Sequence, residues 1–195
     1  MSSQKNILET ILESSRTVFT IQSLRMLSEN KEGSMLSKSL NYYVKEGKIL
    51  NPRKGIYTKK EYDVQEMACC LFRPAYISLE YVLQRSGVVF QFDETITCVS
   101  YLSRSLEVDG SQYSFRIIKP ELWIGMEGIR QNDNICIATP ERAFLDMLYL
   151  SAGNCYFDNL HPLNKKTIRK LLPLYNSKTL CARVTELLDY NMQKS

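Results

Sequence analysis

The sequence predicts an α+β protein in two parts: an N-terminal domain of helices and one hairpin over residues 1–62, and a C-terminal α+β domain over residues 63–195. Three observations support this prediction. Apolar residues recur with helical spacing up to residue 45, and strand-like segments cluster between residues 95 and 138. The charge is also unevenly placed, since the first part carries 11 basic and 6 acidic side chains and the second carries 14 and 15.

Three helices are predicted in the N-terminal part. The first is indicated by four apolar residues on one helical face: Ile7, Leu8, Ile11 and Leu12. The second is indicated by Ile21, Leu24 and Leu27. Thr20 is a favourable N-cap for this second helix. The third helix is predicted from about Met35 to Lys45, with Ser34 as its cap and Gly47 after its end.

A short basic hairpin follows the third helix. Ile49 and Leu50 are predicted to pair with Ile56 and Tyr57 across a turn at residues 51–55, in which proline fixes φ and glycine permits the chain to return. Three helices and a hairpin within 62 residues have the order of a winged helix-turn-helix. The sequence therefore predicts this DNA-binding fold for residues 1–62.

The third helix has an apolar stripe on one side and a polar stripe without acids on another. Short hydrogen-bonding side chains beside cations are suited to base edges and phosphates, so double-stranded promoter DNA is the predicted partner. Asn41 is the predicted base-reading residue, because its amide pairs with both polar edge atoms of adenine. The predicted DNA-binding residues are Ser34, Ser37, Lys38, Asn41, Lys45, Lys48, Arg53, Lys54, Lys59 and Lys60.

Each of these features also has a simpler interpretation. A polar helix face is most often only solvated, and Arg53 and Lys54 then serve to keep a turn soluble. Lys59 and Lys60 then protect an edge strand from aggregation. The combination of helix and hairpin favours DNA binding, because seven Lys or Arg residues lie between residues 33 and 62 against two acids.

The C-terminal part is predicted to contain a small, mostly antiparallel sheet flanked by helices. Helices are predicted at residues 64–72, 79–85, 165–172 and 178–191, and strands at 95–101, 113–118, 122–124 and 135–138. Asp109-Gly110 predicts a hairpin turn. A further helix is predicted to begin at Thr139-Pro140-Glu141, because threonine caps, proline fits the first helical position and glutamate favours the positive helix end.

Two blocks of this part resemble a known family: Tyr76-Ile77-Ser78-Leu79-Glu80 and Ala138-Thr139-Pro140-Glu141-Arg142-Ala143-Phe144-Leu145-Asp146. Together with the N-terminal winged helix, they are similar to the AbiEi antitoxins of abortive-infection toxin–antitoxin systems of type IV. The resemblance covers about residues 5–190. It implies a repressor that binds inverted repeats in its own promoter, with two copies on a palindromic operator. It also implies a C-terminal domain that counteracts a nucleotidyltransferase-like toxin, directly or indirectly.

The antitoxin motif in this resemblance comprises Thr139, Pro140, Glu141, Arg142 and Asp146. The residues themselves favour an architectural role, because the first three are what a helix start requires. Arg142 and Asp146 lie four residues apart and are placed to pair on one helix face. A polar surface that contacts a toxin is the alternative.

Few residues suggest catalysis or cofactor binding. His161 is the only histidine and lies before a proline in a loop-like stretch. The sequence contains no P-loop, nucleophile elbow or dinucleotide-binding motif, and no D-x-D pair to hold magnesium. A non-catalytic protein without metal or cofactor is therefore predicted.

The six cysteines lack C-x-x-C spacing, so free, mostly buried thiols in a reducing cytoplasm are predicted. No apolar run reaches the roughly 18 residues of a membrane span.

The alternative function is a winged-helix transcription factor whose C-terminal domain senses a ligand or a redox change at Cys69-Cys70, without a toxin partner. A third is a protein-interaction module that never binds DNA. A second basic cluster, Lys165 to Lys170, has either DNA, an acidic protein surface or solvent as its neighbour.

Overall fold

A computed structural model describes residues 6–28, 33–123, 126–151 and 155–190 of the chain. The architecture is α+β, as predicted, with one small and one large sheet. The N-terminal elements are α1 (Ile7–Glu13), β1 (Val18–Thr20), α2 (Ile21–Leu27), α3 (Gly33–Lys45), β2 (Leu50–Arg53) and β3 (Ile56–Thr58). Helices α1, α2 and α3 and the β2–β3 hairpin confirm predicted elements, whereas the short strand β1 was not predicted. Two details were wrong, since α3 begins at Gly33, before the predicted Ser34 cap, and Leu50 pairs with Thr58 rather than with Ile56 or Tyr57.

Local hydrogen bonds explain where the first two helices begin. Asn6 caps α1 in a reciprocal box with Glu9, because the Asn6 side chain accepts from the helix backbone while Glu9 accepts from the backbone N–H of Asn6. Thr20 caps α2 as predicted, and its hydroxyl accepts from the backbone N–H of Ser23 at 3.1 Å. The single residue Thr20 therefore ends β1 and starts α2.

The hairpin is tighter than the sequence suggested. Residues 51–53 belong to strand β2, so that the turn consists of Lys54 and Gly55, the latter at φ +81°. Pro52 is tolerated because β2 is the edge strand of the three-stranded antiparallel sheet β1-β3-β2. The pairing register shifts between Leu50 and Arg53, and the Asn51 amide bridges this irregularity by donating to the carbonyls of Arg53 and Ile56 at 2.9 and 2.7 Å.

The described residues of the C-terminal part form five helices, two 3-10 turns and six strands. The helices are α4 (Val64–Leu71), α5 (Glu80–Arg85), α6 (Pro140–Leu150), α7 (Lys165–Leu171) and α8 (Lys178–Tyr190), with 3-10 turns at Pro120–Trp123 and Leu172–Tyr175. The strands are β4 (Ala75–Ile77), β5 (Ile96–Ser100), β6 (Arg104–Val108), β7 (Ser111–Ile117), β8 (Ile129–Asn132) and β9 (Ile135–Ala138). Strands β4, β6 and β8 had not been predicted.

The large sheet is mixed, with strand order β6-β7-β5-β4-β9-β8. The pairs β6–β7, β5–β4 and β9–β8 are antiparallel, whereas β7–β5 and β4–β9 are parallel. The expected mostly antiparallel sheet therefore includes two parallel pairs. The predicted strand at 122–124 is wrong in its described part, since residues 120–123 form a 3-10 turn. Residue 124, like the predicted end of the last helix at 191, lies outside the described residues.

Two hydrophobic cores meet at the small sheet. Its neighbouring residues Phe19 and Tyr57 pack into the N-terminal core with α1, α2 and α3. Val18 and Ile56 point the other way and belong to the larger core around the mixed sheet. The small sheet is thus covered on both faces, and the side chains on either side of the predicted boundary at residue 62 are in contact.

A buried carboxylate fixes this junction. Glu66 of α4 is 5% exposed and accepts from the backbone N–H of Thr17 at 2.7 Å, from the Thr17 hydroxyl at 2.9 Å and from the N–H of Val18 at 2.8 Å. These bonds satisfy donors at the start of β1 that no strand partner reaches.

Within the described ranges, none of the helices combines the length and apolar content that a membrane span needs.

Candidate nucleic-acid interface and the buried Asp146 cluster

Helix α3 separates its apolar and polar residues as the sequence predicted. Leu36 and Leu40 are buried in the N-terminal core, and Tyr43 and Val44 are partly buried against it. The helix is therefore held by one face. The opposite face is open to solvent.

Four polar side chains, which lie beside the exposed Met35, form the exposed stripe of α3: Lys38, Asn41, Tyr42 and Lys45. At 100° per residue they fall within an arc of about 100°. Tyr42 was not predicted as a site residue, although it is 55% exposed and its ring packs edge-on against Tyr43 at 5.5 Å. Its helical spacing from Lys38 would have identified it. The stripe offers one amide, one phenol and two ammonium groups on a surface the width of one helix.

The two predicted serines are less prominent. Ser37 is half-buried, and the side chain of Ser34 lies outside the described residues. Ser37, next to Lys38 in the sequence, therefore has only part of its surface accessible to a ligand. Asn41 is the only amide side chain in the exposed stripe.

The hairpin cations have different environments. Lys54 is exposed at the turn, whereas Arg53 is half-buried and its guanidinium lies 5.5 Å from the ring centre of Phe72. Arg104, on β6, lies 6.0 Å from the same ring. The tertiary structure thus places Arg104, a cation of the C-terminal part, beside the hairpin. No local sequence pattern predicts this position. Both contacts fall in the range of cation–π attraction.

The remaining predicted lysines also differ in their contacts. Lys59 donates its ammonium to the carbonyls of Leu12 and Ser14 at 3.0 and 2.7 Å, and so satisfies the C-terminal end of α1. Lys60 and Lys48 are exposed, and the Lys48 ammonium lies 5.9 Å from the Tyr43 ring centre. Two ion pairs are found among the residues that the structure describes, Glu80–Arg116 and Arg142–Asp146. Neither involves a lysine of α3 or of the hairpin.

The two sequence blocks that carry the family resemblance meet in a second, buried site, the Asp146 cluster. Asp146 on α6 is fully buried and accepts four hydrogen bonds. Tyr76 and Ser78 donate hydroxyls to its Oδ2 at 2.9 and 2.8 Å. The Tyr175 hydroxyl donates to Oδ1 at 2.6 Å, and Nε of Arg142 donates to the same oxygen at 3.2 Å. The predicted pairing of Arg142 with Asp146 is confirmed.

Arg142 is also completely buried, which is exceptional for an arginine. Its guanidinium donates to the carbonyls of Glu127 and Leu122 at 3.2 and 3.1 Å and to the Tyr76 hydroxyl at 3.4 Å. Burial opposes its charge, but Tyr175 and Asp146 outweigh that effect and raise the pKa of Arg142. Arg142 therefore remains a cation inside the core.

Burial raises the pKa of Asp146, against the opposing effects of Arg142 and the three hydroxyls. Burial likewise raises the pKa of Tyr76 and of Tyr175, and these hydroxyls stay protonated as donors. Each oxygen of the carboxylate already has two donors. The Asp146 cluster has no free group aimed at a ligand, and its chemistry is that of an internal support.

The rest of the predicted antitoxin motif also forms internal contacts. Thr139 caps α6, and its hydroxyl accepts from the backbone N–H of Arg142 at 3.3 Å. Pro140 occupies the first helical position, as predicted. The Glu141 carboxylate accepts from the backbone N–H of Asn164 at 3.1 Å, just before α7. Tyr175 was missed by sequence reasoning, because it belongs to a 3-10 turn that carries no recognisable motif.

Reactive groups are scarce in the described part of the chain. Burial raises the pKa of the Cys69 thiol to about 12 and also raises the pKa of Cys70, which disfavours the thiolates that redox sensing needs. His161 is exposed. No group of three or more His, Cys, Asp or Glu side chains among the described residues is arranged to hold a metal ion. The cluster at Lys165–Lys170 lies on α7, with Ile168 buried and the cations exposed.

Comparison with known proteins adds no assignment, because no protein-family pattern matches the chain and no curated protein matches it.

Proposed function

We propose that this chain is an AbiEi-like antitoxin that represses its own promoter. In this proposal, an N-terminal winged helix-turn-helix binds DNA and the C-terminal α+β domain counteracts a nucleotidyltransferase-like toxin. The observation that carries the DNA-binding half is the exposed stripe of α3, whose cations have no carboxylate partner among the described residues. The antitoxin half rests on the two sequence blocks that meet at Asp146.

The order of the N-terminal elements supports the winged-helix assignment. Helix, strand, helix, helix and hairpin follow one another in residues 7–58, and α3 is anchored by one face only. A recognition helix has this arrangement, because it must be rigidly supported on one side and free to enter the major groove on the other. In the proposed complex, α3 enters the groove and the hairpin lies along the adjacent backbone.

The proposed contacts are divided by chemistry. Asn41 reads a base edge, while Lys38 and Lys45 contact phosphates on either side of it. Lys48, Lys54 and Lys60 are exposed and extend the phosphate contacts. Lys59 is assigned to stability rather than to DNA, because two backbone carbonyls already hold its ammonium.

Titration of the duplex upstream of the protein's own gene tests the repressor half. We expect binding to this duplex at least about a thousandfold tighter than to a random duplex of the same length at physiological salt. The measurement is fluorescence anisotropy across a series of salt concentrations. Equal affinity for both duplexes would exclude a promoter-specific repressor.

Two variants separate base reading from phosphate contact. Asn41→Ala should lose discrimination of about 1–3 kcal/mol at one base position, because an amide–adenine pair disappears. Lys54→Gln should weaken binding to every duplex and reduce the slope of log K against log salt by about 0.9. Lys119→Gln, at an exposed lysine outside both basic clusters, is the matched control and should change neither quantity. Parental behaviour of both N-terminal variants would show that DNA binds elsewhere.

The antitoxin half is tested in cells. The proposed partner is a nucleotidyltransferase-like protein encoded beside this chain, and the proposed site of action is the cytoplasm. Co-expression should relieve growth inhibition by that neighbour. Asn41→Ala should still relieve it when both genes are expressed from foreign promoters, because α3 and the C-terminal part are separate surfaces. If growth stays inhibited with both proteins present, only the repressor half remains.

A further inference from the structure

A groove of about 680 Å³ lies where the N-terminal elements meet the mixed sheet. Its walls come from distant parts of the chain: the loop before β1, the end of α4, strand β4 and the β8–β9 hairpin. The volume falls within the range of about 300–1,000 Å³ that is usual for small-molecule sites. Junctions between structural units are also a preferred place for such sites.

The floor of this groove is mainly apolar. Ala75 and Tyr76 are buried, Ile129 and Cys136 are half-buried, and all four line the groove. Met126 adds an exposed apolar side chain at the edge. A floor of this kind takes the hydrocarbon or aromatic body of a ligand.

The rim supplies a different chemistry, because two guanidinium groups lie on it. Arg73 is oriented by the end of α4, since its Nε donates to the carbonyl of Cys69 at 3.3 Å and its Nη2 contacts the Cys70 sulfur at 3.2 Å. Arg16 is half-buried in the loop before β1. In the described part of the chain, neither arginine is paired with a carboxylate.

Both arginines line the same groove. Burial raises the pKa of the Cys70 thiol and the Glu66 carboxylate adds to the rise, whereas the charges of Arg73 and Arg16 oppose it. Asp133, on the rim at the β8–β9 turn, is the one carboxylate among the groove residues. The groove residues thus carry two guanidinium groups and one carboxylate, and the buried Glu66 carboxylate does not line the groove. Gln131 and Asn134 add neutral amides, and the Asn134 amide also donates to the Val18 carbonyl at 3.3 Å.

We propose that this groove binds a small organic acid, with one carboxylate held by Arg16 and Arg73 and an apolar body on the floor. The planar guanidinium matches a carboxylate in shape and charge, and the remaining N–H groups of Arg73 are available to it. Because Arg16 precedes β1 and the other residues belong to the C-terminal part, such a ligand bridges the two parts. The inference is independent of the proposed function, since it requires neither DNA nor a toxin.

The test is a titration of the full chain with benzoate, followed by the backbone amide resonances in two-dimensional NMR. We expect saturable shifts concentrated at Ala75, Ile129, Gln131 and Cys136. Benzyl alcohol, which has the same ring without the charge, should bind at least about tenfold more weakly, because a charge-assisted hydrogen bond is lost. Shifts scattered over the surface, no shift at the groove, or equal binding of the alcohol would overturn the proposal.

Two arginine variants complete the test. Arg16→Gln should weaken benzoate binding about tenfold, whereas Arg130→Gln is the control because Arg130 is exposed on β8 and does not line the groove. The same spectra verify that both variants are folded. Equal weakening by the two substitutions would mean that net charge alone attracts benzoate, and the groove would then not be a site.

Discussion

Arg142 illustrates how a charged residue is accommodated in the core of this protein. Its guanidinium is fully buried beside Asp146, and its other donors reach two carbonyls and a tyrosine hydroxyl. A buried ion pair of this kind adds little net stability compared with apolar residues, but removing one partner leaves an uncompensated charge. The cluster therefore specifies how β4, α6 and the 3-10 turn at Leu172–Tyr175 fit together.

Asp146→Ala should lower the free energy of unfolding by about 3–5 kcal/mol, because Arg142 would keep its charge without a counter-ion. Urea denaturation monitored by circular dichroism measures this change. Tyr175→Phe is the milder companion and should cost about 0.5–1.5 kcal/mol, since it removes one donor and keeps the ion pair. An unfolding curve of Tyr175→Phe identical to that of the parent, or a loss below about 1 kcal/mol for Asp146→Ala, would contradict this account of the cluster.

At the scale of the elements, the helices were predicted more completely than the strands. Helices α1, α3 and α4 are predicted by apolar residues three or four positions apart. Strands β1 and β4 have only three residues each, which is too short for an alternating pattern to be recognised. Strand β8, with the sequence Ile-Arg-Gln-Asn, is a mostly polar edge strand. Such strands are defined by the partner with which they pair.

Gly128 connects the turn before β8 to the packing of α6 and α7. It has φ +74°, and a Cβ at this position would lie 2.9 Å from both Arg142 Cβ and Leu171 Cδ1. Gly110 has a similar φ of +78°, with no atom within 4 Å of the same virtual Cβ. The two glycines thus share the backbone requirement and differ in the space around them.

Gly128→Ala should therefore destabilise the protein more than Gly110→Ala. Both substitutions incur the strain of a left-handed alanine, about 1–2 kcal/mol, and Gly128→Ala adds about 1–3 kcal/mol from overpacking. Thermal and urea unfolding of the two variants beside the parent give the comparison. Equal destabilisation would show that α6 and α7 move apart without cost.

At the scale of the whole molecule, the small sheet lies between two cores, and Glu66 secures its first strand. Several buried groups of the larger core keep their protons more tightly than in an unfolded chain. Burial raises the pKa of Cys69 from 9.0 to about 12 and that of Tyr113 from 10.0 to about 12. These shifts make the stability of the whole protein dependent on alkaline pH.

The sign of this dependence follows from proton binding. Between pH 9 and about 12 the unfolded chain loses protons that the folded chain retains, so the free energy of unfolding falls as pH rises. The stability that these two groups contribute is fully present below pH 9 and declines above it. Urea midpoints measured from about pH 8 to about pH 11 should show the decline. The urea midpoint of Cys69→Ala should fall less steeply with pH than that of the parent. A parent midpoint that does not change over this interval would contradict the prediction.

The helices, the division of charge between the two parts and the outward polar stripe of α3 could all be predicted from the amino-acid sequence. These features depend on neighbours within one or two helical turns, and the side-chain pattern records them directly. Three other features became visible only in the folded protein: Lys59 supports α1, Arg104 lies beside the hairpin and Arg142 is buried. Each of these outcomes depends on distant residues, as in the bond between Tyr76 and Asp146, which are 70 positions apart. Burial turns such a bond into a structural requirement, because a polar group removed from water must find its partner inside the protein.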